Sequence, residues 1–309
     1  MEQWERWLRQ PQTVWLRRAA FQVHLWSGLA LGLYVLVLSL SGSVLVFRDQ
    51  LDAWFETPAP AFEPGREGLS TEALTEAAQR AYPAHEVTRV GTRFGRRRPV
   101  IEIWLEQGEE RLERLFNPYT GEDLGDALPR GIRAVLWLAG LHDELLLGET
   151  GRRVNGTASA AVALLTLSGA VVWWPGVRNW RRALTVRWRA RWPRRFWDLH
   201  SAAGAWCFPL ILLWAVSGVY LAIPEPFAAV VDAVSDPEAI LGERPGDIVL
   251  AWTVRLHFGR FDEQPLLQGL WGLLGLVPGL MFVTGAIMWW NRVLRRRSGR
   301  PAEPADPTR

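Results

Sequence analysis

Residues 21–42, FQVHLWSGLALGLYVLVLSLSG, decide the fold. The stretch is almost wholly apolar and long enough for a helix to cross a hydrocarbon core of about 30 Å, which takes about 20 residues. Yet it opens with an ionisable ring, His24. Residues 196–218, FWDLHSAAGAWCFPLILLWAVSG, follow the same plan with His200. A Ser-Gly pair closes both runs, its glycine 18 residues after the histidine (24 to 42, 200 to 218). An imidazole at the mouth of a membrane span, twice at one offset, points to a shared task.

Outward from these runs, four blocks are apolar, low in charge and long enough to span a bilayer: 23–47, 154–175, 201–223 and 266–290. Many of the 19 Trp stand at block edges, among them Trp173, Trp174, Trp289 and Trp290, as in an interfacial aromatic belt. The first block is longer than a signal-peptide core and no small-residue cleavage site follows it, so it is expected to be an uncleaved span.

All 35 basic residues are Arg, and they set the orientation. Residues 176–199 hold eight Arg and one acid, the first 23 residues hold four Arg, and residues 224–263 hold three Arg against eight acids. The positive-inside bias then places both termini and the 177–199 loop in the cytoplasm, and the segments after the first and third spans outside. A basic loop clamped between two spans is a topology signal, so no nucleic-acid partner is expected; the lipid bilayer is. The single cysteine, Cys207, excludes an internal disulfide, a thiolate metal cluster and Cys-x-x-Cys-His haem attachment.

The expected organisation is residues 1–50 for the N-terminus and first span, 58–126 for a small outer α+β domain, 130–176 for a histidine-bearing helix and second span, 177–199 for the Arg-rich loop, 200–223 for the third span, 224–265 for an outer loop, 266–290 for the fourth span and 291–309 for a cytoplasmic tail. In the outer domain, a Pro/Gly linker over 58–68 precedes LSTEALTEAAQRAYP, which reads as a helix capped by Ser70 or Thr71 with Pro83 beyond its end. EVTRVGTRF, PVIEIWLEQ and EERLERLFNP read as strands, and NPYTGEDLG as a turn.

The chain reads as two copies of a two-span unit. LAGLHDELLLGETGRRVNG leads to LSGAVVWWPG, and TVRLHFGRFDEQPLLQG leads to VTGAIMWW. His142 precedes Gly169 by 27 residues (142 to 169), and His257 precedes Gly285 by 28 (257 to 285). The copies run in the same direction, as in parallel repeats about an axis along the membrane normal. Four of the five histidines occupy matched positions: His24 with His200 at the inner interface, His142 with His257 at the outer. His85 has no counterpart and reads as a surface residue.

Two neutral imidazoles facing one another supply both axial ligands of a haem iron, an arrangement suited to electron transfer. The expected cofactors are two haem b groups. Small residues offer room for a flat macrocycle: Gly28, Gly32, Ala202, Ala203 and Gly204 near the inner pair, and Gly140, Gly148, Gly156 and Gly259 near the outer. Arg152 and Arg153, with Arg255 and Arg260, are candidate partners for propionates. The competing readings are interfacial anchoring, a proton relay, and a zinc site in which Asp143 and Glu144 complete the outer pair. The Ser-Gly and Thr-Gly pairs read as close helix packing.

FQVHLWSGLALGLYVLVLSLSGSVLVFRDQLD, LHDELLLGETGRRVNG, DLHSAAGAW and SGAVVWWPG resemble the PepSY-associated transmembrane proteins of bacteria, and AAQRAYP with NPYTGEDLGD resembles the PepSY module itself. The resemblance covers residues 15–295. It implies an all-α bundle of four transmembrane helices in two pseudo-repeated pairs, in the bacterial inner membrane, with an α+β periplasmic PepSY-like domain between helices 1 and 2. Some members are dihaem reductases that deliver electrons to ferric siderophores, which implies haem ligation by His24, His142, His200 and His257. The expected activity is haem-dependent ferric-chelate (siderophore) reduction, with electrons from a cytoplasmic donor or quinol. The alternative is a PepSY-type binding or regulatory protein that the helices only anchor; a transporter is weakened by the lack of carboxylates in the spans.

Overall fold

The computed structural model describes residues 3–57, 67–94, 99–236, 242, 244–261 and 264–297. Most of the 58–68 linker and of the 291–309 tail thus lies outside the described residues. The chain divides into two compact units, residues 1–47 with 138–309, and residues 48–137.

Four helices of the first unit are long and apolar enough to cross a membrane: Trp15–Leu45, Gly148–Trp173, Trp192–Ala222 and Pro265–Val293. They match the four apolar blocks, but the first and third begin eight or more residues earlier, because the helices continue through Arg17, Arg18, Arg194 and Arg195. The first span packs against the second and fourth, and so does the third. The first and third spans therefore face each other across the diagonal of a four-helix ring.

The fourth span is two helices, Pro265–Gly275 and Val277–Arg297. Pro278 has no N–H and crowds the carbonyl one turn back, so the ladder breaks there. Ser39 of the first span enters the gap. Its hydroxyl donates to Gly275 O at 2.6 Å and accepts from Gly279 N–H at 3.0 Å, replacing the rung those two groups would have formed. Ser39→Ala leaves both backbone groups without a partner away from water, at about 1–3 kcal/mol. The expected result is a lowered thermal midpoint in detergent; an unchanged midpoint contradicts this role.

Two segments expected as loops contain helix. Residues 177–199 hold the short Trp180–Ala183 helix. Residues 224–265 hold the helices Glu225–Val234 and Pro245–Phe258. Each of the latter two has a proline in its first turn, and Arg244 ties them by pairing with Asp232 at 2.6 Å and Asp247 at 2.7 Å.

The second unit is a helix on an antiparallel sheet. Ser70 caps Thr71–Ala81, its hydroxyl accepting from Ala73 N–H. Strands β1 (Glu86–Phe94), β2 (Pro99–Gln107), β3 (Glu110–Phe116) and β4 (Asp123–Asp126) form a meander in that order. Leu74 and Ala78 of the helix pack on Ile103, Leu105 and Phe116, which alternation places on one sheet face. All but the last residue of the fourth strand lies inside the expected turn: Asp-Leu-Gly-Asp has little strand propensity. Ion pairs from Arg114 of β3 to Asp123 (2.7 Å) and Asp126 (2.5 Å) hold it.

Tyr82 donates to Asp123 at 2.5 Å. Burial, then that hydrogen bond, push the phenol up to about 12. Burial alone would raise the Asp123 carboxyl, but the bonds from Arg114 and Tyr82 outweigh it and hold the group below its usual range. A depressed carboxyl stabilises the fold above its unfolded pKa and loses that stabilisation as pH falls through the folded value. Asp123→Asn should cost this unit about 1 kcal/mol at neutral pH, discounted for partial exposure. The gap should close on acidification in paired melts followed by tryptophan fluorescence.

Candidate functional site

The structure brings the four histidines together as two pairs. The rings of His24 and His200 have centroids 6.4 Å apart with planes at 82°. Those of His142 and His257 lie 6.3 Å apart at 64°. His24 belongs to the first span and His200 to the third. His142 is near the end of the Arg130–Glu144 helix and His257 near the end of the Pro245–Phe258 helix.

Each ring is gripped at Nδ1 by the hydroxyl that precedes one of the closing glycines. Ser168 lies 3.1 Å from His24 Nδ1 and Thr284 2.9 Å from His200 Nδ1. Ser41 lies 2.9 Å from His142 Nδ1 and Ser217 2.6 Å from His257 Nδ1. No Nε2 of the four bonds to a described residue. The glycine beside the hydroxyl makes room for the ring. A Cβ on Gly42 would stand 2.7 Å from His142 Cε1, one on Gly169 2.9 Å from His24 Cε1, and one on Gly285 3.4 Å from His200 Cε1. At Gly218 the tight neighbour is Ser159 Oγ, at 2.9 Å, rather than His257. Sequence reasoning took these dipeptides for packing alone. Their fixed distance from the histidines was the signal.

Ser41 serves the opposite side of the first span from Ser39 and Ser43, because two residues turn a helix by about 200°. All three serines are buried.

The LHDELLLGETGRRVNG motif builds the corner behind His142. Leu145 and Leu146 both take left-handed backbone, φ 51° and 60°, so that the second span can start at Gly148. Asn155 Nδ2 donates to the carbonyls of His142 (2.8 Å) and Asp143 (3.1 Å), closing the end of the helix. Tyr34 of the first span donates to Asn155 Oδ1 at 2.6 Å. Burial lowers the pKa of His142 against the opposing pull of Asp143. At His257, burial first and the neighbouring His142 second bring it down to about 4. Both shifts favour the neutral ring, the form in which imidazole ligates a metal.

A cavity of about 1170 Å³ adjoins the His24–His200 pair. Its walls are apolar along the spans, with Gly28, Gly32 and Gly204 among the lining residues, and rich in Arg and Trp toward the span ends. Ala202 is buried, while Ala202 and Ala203 are outside that lining. Arg187 and Arg194 on the wall pair with buried Asp198, at 3.3 and 2.8 Å. Arg17 Nη2 donates to Val172 O at 2.8 Å. Arg17 Nε and Trp173 Nε1 are buried without an acceptor among the described residues.

The outer arginines are engaged elsewhere. Arg152 pairs with Glu144, and Arg153 with Glu149 at 2.6 Å between exposed side chains. Arg255 stacks over Trp252 and Arg260 over Phe258. Of the outer glycines, Gly259 ends the Pro245–Phe258 helix in left-handed backbone, φ 62°, and Gly156 packs closely on Ala222. His85 lies against Tyr82 in the second unit. Among the described residues, no group of three or more His, Cys, Asp or Glu is arranged to hold a metal ion, so Asp143 and Glu144 do not complete a zinc set.

No match is found among curated proteins. The family model for the PepSY-associated TM region matches residues 21–292, a range that contains the second and third spans, most of the first and fourth, and every histidine just described. This chain is a multi-pass membrane protein belonging to the PepSY-associated TM region family.

Proposed function

We propose that the protein is a b-type dihaem oxidoreductase of the bacterial inner membrane that passes electrons to a periplasmic acceptor, ferric iron in a chelate such as a siderophore. The observation that carries this reading is the spacing of the two histidine pairs. A ring nitrogen lies about 1.2 Å from its ring centre and metal–imidazole bonds are about 2.0–2.1 Å long, so two rings sharing one metal stand about 6.4–6.6 Å apart. The observed separations are 6.4 and 6.3 Å. His24 with His200, and His142 with His257, would hold the two groups. A haem held there would supply a one-electron couple.

The fit extends to the surroundings. The cavity beside His24 and His200 exceeds the ~300–1,000 Å³ of common ligand pockets. Arg17 Nε and Trp173 Nε1 supply donors without acceptors on its wall, suited to a carboxylate of the bound group. The pairs lie at the two ends of the bundle. His24 and the Ser41 that grips His142 are 17 residues apart on one helix, a rise of about 25 Å, close to the thickness of the hydrocarbon core. The arginine bias orients the His24–His200 end inward. Electrons would enter there from a cytoplasmic donor or quinol and leave at the other end, reducing ferric to ferrous iron. No acid–base residue is required for that transfer. The two-copy reading of the sequence accounts for both ends being built alike.

The test is an optical spectrum of the detergent-purified protein, oxidised and dithionite-reduced, with a pyridine haemochrome assay. Low-spin b-type bands at about two haems per chain, bleached by a ferric chelate, are expected. A colourless protein from haem-replete cells overturns the proposal and leaves the second unit as the functional part.

A further inference from the structure

The four hydroxyls that grip the histidines have already committed their protons. Ser41 donates to Val37 O at 2.8 Å, Ser168 to Leu165 O at 2.7 Å, Ser217 to Leu213 O at 2.7 Å and Thr284 to Leu280 O at 2.8 Å. A hydroxyl has one proton and two lone pairs. With its proton on a carbonyl of its own helix, the oxygen can only accept from the ring. Each imidazole must therefore carry its proton on Nδ1. At His24 a second group makes the same demand: Leu165 O, which can only accept, lies 3.1 Å from Nδ1. Nε2 is left with a lone pair and no proton. Free histidine favours the opposite tautomer, so the Nδ1–H form is imposed on these rings.

We infer that Ser168, Ser41, Thr284 and Ser217 are positioning residues that hold His24, His142, His200 and His257 in the Nδ1–H tautomer, with Nε2 as the ligating atom. The contacts follow one rule. First-span Ser41 grips the histidine that precedes the second span, and second-span Ser168 grips the histidine of the first. Third-span Ser217 and fourth-span Thr284 do the same for His257 and His200. Each two-span half orients its own two rings, and each facing pair draws one ring from each half. An acceptor on the far ring nitrogen also makes a ligating imidazole more electron-donating. A neutral hydroxyl does so less than a carboxylate, which sets the potential of the bound iron between the bare and the carboxylate-paired cases.

The ligating role rests on the dihaem reading, but the tautomers do not, so two measurements separate them. In full-length protein labelled with 15N-histidine and prepared without haem, ring nitrogen shifts read each tautomer directly. The gripped rings of the wild type are expected to be Nδ1–H. Thr284→Val, close to isosteric, moves His200 toward Nε2–H, and Thr284→Ser restores it. Wild-type rings in the Nε2–H form, or an unchanged His200 in Thr284→Val, overturn the inference. In haem-loaded protein, Thr284→Val raises the midpoint potential of one of the two couples and Thr284→Ser returns it; an unmoved couple overturns the positioning role. Ser217→Ala gives the same comparison at the other end. A wild type that takes up no haem defeats the dihaem reading and leaves the tautomer result standing.

Discussion

On the proposed dihaem reading, His24→Ala and His142→Ala are each expected to bring haem content in a pyridine haemochrome assay from about two per chain to about one, and the double variant to bring it near zero. Each substitution removes one imidazole from a pair whose partner belongs to a different helix, His200 or His257. A lone imidazole keeps only part of the coordination free energy. The two losses should be independent, because the pairs lie about 25 Å apart along the first span and share no ligand. His85→Ala should leave haem content unchanged, since that ring belongs to the other compact unit. Loss of both haems in either single variant would mean that the ends are not separate sites. Retention of both would mean that the rings are not ligands.

Gly151→Ala should be the most damaging small substitution in the bundle. The Arg130–Glu144 helix turns into the second span through Leu145 and Leu146, both in left-handed backbone that costs an L-residue about 1–2 kcal/mol. One turn into the span, a Cβ on Gly151 would land on the carbonyl of Glu144 and press on Leu147. The obstructing atom is backbone, so no side-chain rotation relieves the contact. The corner is already strained, and the expected cost lies at or above the top of the ~1–3 kcal/mol range for overpacking. Size-exclusion profiles should show reduced folded yield. The surviving protein should lose the His142–His257 haem while keeping the other, because the corner holds His142 through Asn155. Equal loss at both ends would assign Gly151 a global role instead.

The spans and the histidine pairing were legible because each rests on a periodic or repeated signal. Length and hydropathy mark a span, and two motifs at one offset mark equivalent positions. The break at Pro278 was not read, because hydropathy continues through it and only Ser39 shows how the freed backbone groups are met. Strand β4 was read as a turn, because the residues that make it a strand are Arg114 and its two aspartates, brought together by the register. The helix carrying His257 was read as loop, because its acids and prolines resemble a linker until Arg244 joins Asp232 to Asp247. Arg152 and Arg153 were chosen for nearness in sequence to His142, while nearby glutamates had a prior claim on them. The gripping hydroxyls were visible as Ser-Gly and Thr-Gly pairs, but their purpose depends on which helix faces which.

The serine inserted at the break of the fourth span also bears on how the protein is made. Ser39 leaves the ribosome long before Gly275 and Gly279, and until they arrive its hydroxyl lacks the two partners it has in the finished bundle. The fourth span does not satisfy its own backbone at this break, and the first holds the group that completes it. This contact between the first and fourth spans can therefore form only after the intervening chain, both middle spans included, has been made.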